Sequence, residues 1–373
     1  MYFMSPRPHI LICPLNWGLG HASRMIPLIS LFLERGCRIT VVSSGGPLRL
    51  LTNEFSDKIE FICFKGPEIS YPKGGSMVGK MAMQMPAIAW AVWQEKKITA
   101  TLVRNLKPDI IISDNRYGMS SKKVLSVFVT HQLQIKLPRS IQWLEKVINR
   151  INHSFIKTFD LCLVPDTYAE PGLSGSLSHK TSLSNLHFTG ILSRFSDVTL
   201  PHNYAPAGMP ENFILVILSG PEPQRSILEN ILKAQLQKDT VVWFRGLPGN
   251  SEPSKTGNHI FYDHAPTKVM AWCIKNSEIV ICRSGYSSVM DLSVFGKKAV
   301  MIPTPGQTEQ EYLARHLHDL GYISALPQND AHKIDEYIND AKSMQGLPLP
   351  EKQSSVNQTV DMLLDMMNDR QKG

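Results

Sequence analysis

The sequence predicts an α/β protein of two doubly wound domains, each a largely parallel sheet covered by helices on both faces. Three observations carry this. Short, β-branched, continuously apolar runs alternate with amphipathic stretches along the chain, the pattern of a parallel sheet buried on both sides. The alternation stops once, at Phe195–Pro210 (FSDVTLPHNYAPAGMP), where three prolines and small polar residues replace it, and then restarts. Finally, 373 residues with 43% hydrophobic and 19% charged content suffice for two buried cores and are too apolar for a largely disordered chain.

Taken in order, the first domain, 1–196, should hold strands near His9–Cys13, Arg38–Ser43, Ile59–Phe64, Asp109–Ser113, Val124–Thr130, Asp160–Val164 and Leu186–Thr189. Arg24–Arg35 and Ala87–Leu106 carry apolar residues at helical spacing between them. Residues 197–212 read as a linker. The second domain, 213–350, repeats the grammar with strands at Phe213–Leu218, Thr240–Phe244, Glu278–Cys282 and Ala299–Ile302. Its helices fall at Gln224–Gln237, Thr267–Lys275, Ser287–Phe295 and Gln310–Leu320. A last amphipathic helix, 356–369, is expected to pack back on the first domain. Two such sheets facing a central cleft would present their C-terminal strand ends to one ligand.

The six cysteines (Cys13, Cys37, Cys63, Cys162, Cys273, Cys282) form no CxxC pair and no His-linked spacing. They read as free thiols of a reducing compartment, and no metal cage is expected. Met1–Pro8 lacks a secretory pattern. The apolar window Met81–Trp93 falls short of the ~20 residues a bilayer span needs. A cytoplasmic protein is expected. The net charge of +7 is uneven: residues 1–200 carry 23 Lys+Arg against 13 Asp+Glu, residues 201–373 carry 16 against 19. A basic first half suits an anionic partner such as phospholipid head groups or a phosphorylated acceptor. Nothing in the chain points to nucleic acid.

Two constellations bear chemistry. After the first strand comes Pro14-Leu-Asn-Trp-Gly18-Leu-Gly20-His21-Ala-Ser-Arg24. A glycine turn between strand and helix lets backbone N–H groups approach an anion. A dinucleotide fold would need glycine where Ser23 stands and an acid after Val41-Val42-Ser43-Ser44; a P-loop would need Gly-Lys-Ser/Thr. Both are excluded. His21 is placed for proton transfer, and Asp114, ending Asp109-Ile-Ile-Ile-Ser-Asp114, lies at the same rim. An imidazole backed by a carboxylate can take a proton from a hydroxyl. The plainer reading of Asp114 is an N-cap for a helix at Tyr117–Lys123.

The second constellation is Glu278-Ile-Val-Ile-Cys-Arg283-Ser284-Gly285 opening a helix with Asp291, then Ala299–Ile302 and Pro303-Thr-Pro-Gly-Gln-Thr-Glu309-Gln310-Glu311-Tyr312. The first turn can cradle phosphate, and Asp291 can accept hydrogen bonds from vicinal sugar hydroxyls. As an ordered set these strings resemble glycosyltransferases of the GT-B fold, family 28 type, over most of the chain. The matching features are the Gly-rich loop ending in His (Gly18–His21), the run Arg283–Asp291, and the Pro loop Pro303–Tyr312.

The resemblance implies a nucleotide-sugar donor site. Gly18 and Gly20 are counted with it, and so is Arg283. Ser284 and Gly285 would face the donor diphosphate, and Asp291 stands where the family has Glu for the ribose hydroxyls. Gln310 matches a donor-sugar contact, with Glu311 replacing a second Gln. Ser219 and Gly220 stand at the family's Gly-Gly-Ser loop, here followed by Pro221 and Pro223. His21 with Asp114 also resembles the base dyad of small-molecule UDP-glycosyltransferases.

No Asp-x-Asp occurs in the chain, so no divalent metal is expected at the diphosphate and no cofactor beyond the donor itself. The expected activity is inverting, metal-independent transfer of a hexose or N-acetylhexosamine from a UDP-sugar to an acceptor hydroxyl. Acceptors in view are a lipid-linked or cell-envelope glycan, a lipid or a small molecule. The alternatives are a UDP-sugar hydrolase and a non-catalytic nucleotide-sugar-binding protein. The basic amphipathic stretch Lys136–Lys157, with Trp143 and Phe155, suits peripheral contact with an anionic membrane on its inner face; a core-facing helix with a solvated basic face is its plainer reading.

Overall fold

A computed structural model describes residues 7–64, 77–247, 252–350 and 354–372, the side chains of 77–88, 354 and 355 excepted. Chain contacts divide it into two units, Met1–Leu192 with Glu351–Gly373, and Ser193–Pro350.

The first unit is built on seven strands: β1 (His9–Pro14), β2 (Arg38–Ser43), β3 (Glu60–Cys63), β4 (Ile110–Asp114), β5 (Leu125–Val129), β6 (Leu161–Val164) and β7 (Leu186–Phe188). Their order is β3-β2-β1-β4-β5-β6-β7, and every pairing is parallel. The order reverses between β1 and β4, the crevice where open α/β sheets bind ligands. The central strands β1, β4 and β5 are buried along their whole length, as their unbroken apolar runs require. Leu11, Cys13, Val42 and Ile111 pack one face against Leu102 and Met119. Phe128, Cys162 and Val164 pack with Ile156 and Phe159.

The second unit repeats the plan with β8 (Ile214–Ile217), β9 (Val241–Phe244), β10 (Ser254–Thr256), β11 (His259–Tyr262), β12 (Ile279–Cys282), β13 (Ala299–Met301) and β14 (Ser324–Ala325). The order is β10-β11-β9-β8-β12-β13-β14, parallel except for β10 against β11. Val216, Trp243 and Ile281 are covered by Leu228 and Leu232 of one helix and Ile334 and Ile338 of another. The reversal lies between β8 and β12.

Several expectations need correction. The unit boundary falls at Leu192/Ser193, ahead of the expected 196/197. Ser193, Arg194 and Phe195 are already anchored in the second unit, on Asp291, Met270 and Phe295. The stretch 197–212 has no regular structure and is part of that unit rather than a separate linker. Asp114 caps no helix, because 115–124 runs through turns. Strands β10, β11 and β14 and the helices Gly45–Phe55 and Ile334–Ser343 were not anticipated. β10 is exposed throughout and lacks an apolar face, and Gly45-Gly46-Pro47 reads locally as a breaker.

The helix Ser354–Lys372 belongs to the first unit. It buries Val360, Leu363 and Met367, and Arg35 donates to Asp361 at 2.6 Å while Arg370 donates to Asp160 at 2.9 Å. All six cysteines are unpaired, five of them buried. No helix among the described residues is long and apolar enough to cross a membrane. The side chains of Met81–Ala87, most of the apolar window noted above, lie outside the described residues, as do residues 1–6.

Candidate active site

The candidate residues form two sets, one in each unit. In the first, β1 ends at Pro14 directly across from Asp114 of β4. Leu15 N–H donates to the Asp114 carbonyl at 3.1 Å, which fixes the start of the loop. Gly18 takes φ +84°, a conformation that glycine adopts without strain. The turn does not open into one long helix. A single turn, Leu19–Ser23, is followed by a break at Arg24-Met25 and a second helix, Ile26–Glu34, with Pro27 in its first turn. Proline starts helices well but cannot continue one, so the chain restarts there. Gly18 thus turns the chain into the short helix that carries Gly20 and His21, with Arg24 just past its end.

The structure brings His21 and Asp114 together. His21 Nδ1 lies 3.2 and 3.3 Å from the two Asp114 oxygens. Asp114 is fully buried while His21 is partly exposed. Arg24, three residues beyond His21 and 2% exposed, grips the same carboxylate: Nε donates to Oδ2 at 2.8 Å and Nη2 to Oδ1. Burial alone would push the Asp114 carboxyl up; Arg24 and His21 outweigh it and hold the group below the usual carboxylate range. Arg24 Nη1 is 3.3 Å from Nδ1 of His131, a buried histidine just past the end of β5. Sequence reasoning missed Arg24 and His131 as site residues. The signal for Arg24 was its spacing, since i and i+3 on a helical turn share a face.

In the second unit three loops follow three adjacent strands. Ser219 and Gly220, after β8, are exposed, and Gly220 takes φ +101°. A Cβ there would come within 3.7 Å of Thr304 in the loop after β13. After β12, Ser284 is buried and its hydroxyl donates to the Gln310 carbonyl at 2.8 Å; Gly285 precedes the helix Tyr286–Ser293. Gln310 Oε1 accepts from Thr304 N–H at 2.8 Å, and its amide meets the Gln307 side chain. Glu311 accepts from Gly306 N–H at 3.0 Å. Both polar side chains thus fold back to brace the loop Pro303–Gln307.

Arg283 differs from its expected place among the donor contacts. Its guanidinium is buried and bonds to Ile302 O, Pro303 O, Gln224 O and Gln328 Oε1 at 2.7–3.3 Å. Burial brings its pKa down to about 10. It ties the start of the helix Gln224–Gln235 to the β13 loop and to Gln328. Asp291 is partly buried on the helix after β12, and its Oδ1 accepts from Ser193 Oγ at 2.6 Å. Burial pushes its carboxyl up to about 6, against the opposing pull of Arg194 and Ser193. Ser193 and Arg194 were also missed; the expected boundary placed them outside this domain. No group of three or more His, Cys, Asp or Glu suited to a metal ion occurs among the described residues.

Solved structures resemble the whole chain. The calicheamicin glycosyltransferase CalG4 covers 98% of it and is covered over 95% of its own length, at 16% identity and a TM-score of 0.61. MurG from Acinetobacter baumannii covers 96% and is covered entirely, at 12% identity and 0.55. In sequence, the chain is 25% identical over 280 residues (73% of this chain, 71% of the relative) to an Actinobacillus pleuropneumoniae protein, the UDP-N-acetylglucosamine–N-acetylmuramyl-(pentapeptide) pyrophosphoryl-undecaprenol N-acetylglucosamine transferase. It is also 25% identical over 333 residues (84% and 82%) to an uncharacterized glycosyltransferase of Methanosarcina acetivorans. Two doubly wound sheets with glycine turns at their switch points define, together with these relatives, a glycosyltransferase of the GT-B fold. More particularly, residues 223–363 match the glycosyltransferase family 28 C-terminal domain.

Proposed function

We propose that the chain transfers a hexose or N-acetylhexosamine from a UDP-sugar to an acceptor hydroxyl with inversion and without a metal. The observation that carries this reading is His21 Nδ1 at 3.2 Å from the buried Asp114 carboxylate, at the switch point of the first sheet. A sugar hydroxyl is a poor nucleophile near neutral pH, so a base takes its proton as the anomeric carbon is attacked. His21 is that base. Asp114 orients the ring and stabilises the imidazolium that forms. Attack opposite the leaving UDP inverts the anomeric centre.

The second unit holds the donor. Backbone groups at Ser219-Gly220 and Ser284-Gly285 take the diphosphate, Asp291 takes the ribose hydroxyls, and Gln310 and Glu311 turn from the loop toward the sugar. Arg283 acts only by shaping these loops. Helix N-termini and amides, rather than a cation, stabilise the leaving diphosphate. This part of the proposal rests on the lack of any Asp-x-Asp in the chain.

The acceptor is a lipid-linked glycan, in keeping with the acceptor named for the Actinobacillus relative. The enzyme meets it at the surface of an anionic membrane. Arg139–Ile156 supports this, with Trp143 74% and Val147 50% exposed beside Lys146 and Arg150.

Product analysis with UDP-N-acetylglucosamine, UDP-glucose and UDP-galactose, with and without a lipid extract and in excess EDTA, tests the reading. Acceptor-dependent UDP release that survives EDTA supports it. Release without acceptor makes the chain a hydrolase, and binding without turnover makes it a binding protein.

A further inference from the structure

The ring nitrogen that the base assignment depends on has two partners that it cannot serve at once. Arg24 Nη2 lies 2.8 Å from His21 Nδ1, and the Asp114 oxygens lie 3.2 and 3.3 Å from it. A guanidinium has five N–H donors, no acceptor, and keeps its proton in proteins. Any close contact with it must therefore be accepted. To accept from Nη2, Nδ1 has to present a lone pair. To donate to Asp114, Nδ1 has to carry a hydrogen, which would then point into the hydrogens of Nη2. The shorter contact is the one with Arg24.

The rest of the Arg24 side chain supports this assignment. Nε donates to Asp114 Oδ2 at 2.8 Å and Nη2 also donates to Oδ1, so the carboxylate is already held bidentately without help from His21. Nη1 points at His131 Nδ1, 3.3 Å away. One buried cation thus addresses the Nδ1 side of two histidines and both oxygens of the acid between them.

We propose that Arg24 is a positioning residue that decides which nitrogen of His21 carries the proton. In the resting enzyme it holds the neutral ring as the tautomer protonated on Nε2. In that form Nε2 is a donor and cannot accept from a hydroxyl. Base action on the acceptor, the role assigned to His21 above and the reading on which this inference rests, begins when Nη2 lets go of Nδ1. The proton on Nε2 then passes to water, Nδ1 takes one from water and keeps it, pointing the new N–H at Asp114 as a hydrogen-bond donor, and the net protonation of the ring is unchanged. The acceptor hydroxyl can now give its proton to Nε2. Asp114 stays ionised throughout, because Nε and Nη2 remain on its oxygens.

The test is ¹⁵N NMR of the full chain with labelled histidine at about pH 8, above the usual imidazole range. The His21 signals are assigned by their loss in His21→Gln. The expected spectrum has Nδ1 unprotonated and Nε2 protonated. In Arg24→Lys, whose ammonium lacks the fork that reaches ring and acid together, the ratio should move toward the Nδ1-protonated form about five- to tenfold, the worth of one hydrogen bond.

A wild-type ring protonated on Nδ1, or on both nitrogens, overturns the proposal. An unchanged ratio in folded Arg24→Lys does so too. If that variant fails to fold, the wild-type spectrum alone decides. Turnover of His21→Ala separates the two readings: normal kcat removes the base role and leaves the tautomer result standing. Lost kcat with an Nδ1-protonated wild type removes Arg24's role and leaves the base.

Discussion

Asp291 is a carboxyl with two possible masters, proton and ribose. Folding raises its pKa from 3.8 to about 6, so the protonated form is the one favoured by the fold. Its contribution to stability is complete below about pH 4 and is lost as pH rises through about 6. Holding ribose hydroxyls strongly requires the ionised form. UDP affinity measured by calorimetry should therefore weaken as pH falls below about 6, and Asp291→Asn should abolish that pH dependence. Asp291→Ala should weaken UDP binding by about 1–3 kcal/mol at neutral pH; unchanged affinity removes Asp291 from the donor site. For His21→Ala the expectation is a kcat lower by on the order of 10²–10⁴ with UDP affinity little changed, and for Asp114→Asn a smaller loss of the same kind. A normal kcat in His21→Ala eliminates the base. The pairing of His21 with Asp114 could be read from the chain because the loop after β1 carries one and the end of β4 the other, and a doubly wound sheet sets those two strands side by side. Arg24 shares a helical face with His21 by its spacing, but a lone arginine in an amphipathic stretch looks like solvated surface until a buried acid is seen beneath it.

At the scale of elements, the second sheet presents its loops through a brace. Arg283 links the start of one helix, the end of β13 and Gln328 from beneath. Replacing it by Met removes these bonds, and the expected cost is about 1–3 kcal/mol of stability for each buried oxygen left without a donor. Thermal melts should drop sharply for Arg283→Met and stay close to wild type for Asp291→Ala. If Arg283→Met keeps its Tm and loses only UDP affinity, the arginine is a ligand contact after all. The strings around Arg283 marked the loops that follow β12 and β13, but sequence could not tell a residue exposed on those loops from one that supports them from beneath. The same blindness hid β10 and β14, which are short and carry no apolar period, and the helix Gly45–Phe55, whose glycines and proline fit a helix's first turn as well as they fit a loop.

On the scale of the whole chain, the excess positive charge of residues 1–200 and the exposed Trp143 bear on the membrane proposal. The protein should co-sediment with anionic vesicles and less with neutral ones, and Trp143→Ala should reduce the difference; equal, salt-insensitive partitioning counts against lipid contact. The helix Ser354–Lys372 offers another test. Deleting it uncovers the seats of Val360, Leu363 and Met367 and should cost the first unit on the order of 5 kcal/mol, read as a lowered melting transition. Its connectivity also orders the birth of the molecule. The chain leaves the first unit at Leu192, completes Ser193–Pro350, and only then supplies this helix. On the ribosome the second unit has all of its strands and core before the first has its last wall. The unit whose strands are made earlier is thus the one that finishes later, and it spends the synthesis of the intervening Ser193–Pro350 with an apolar face waiting for its cover, the interval in which a nascent chain is most exposed to misassociation.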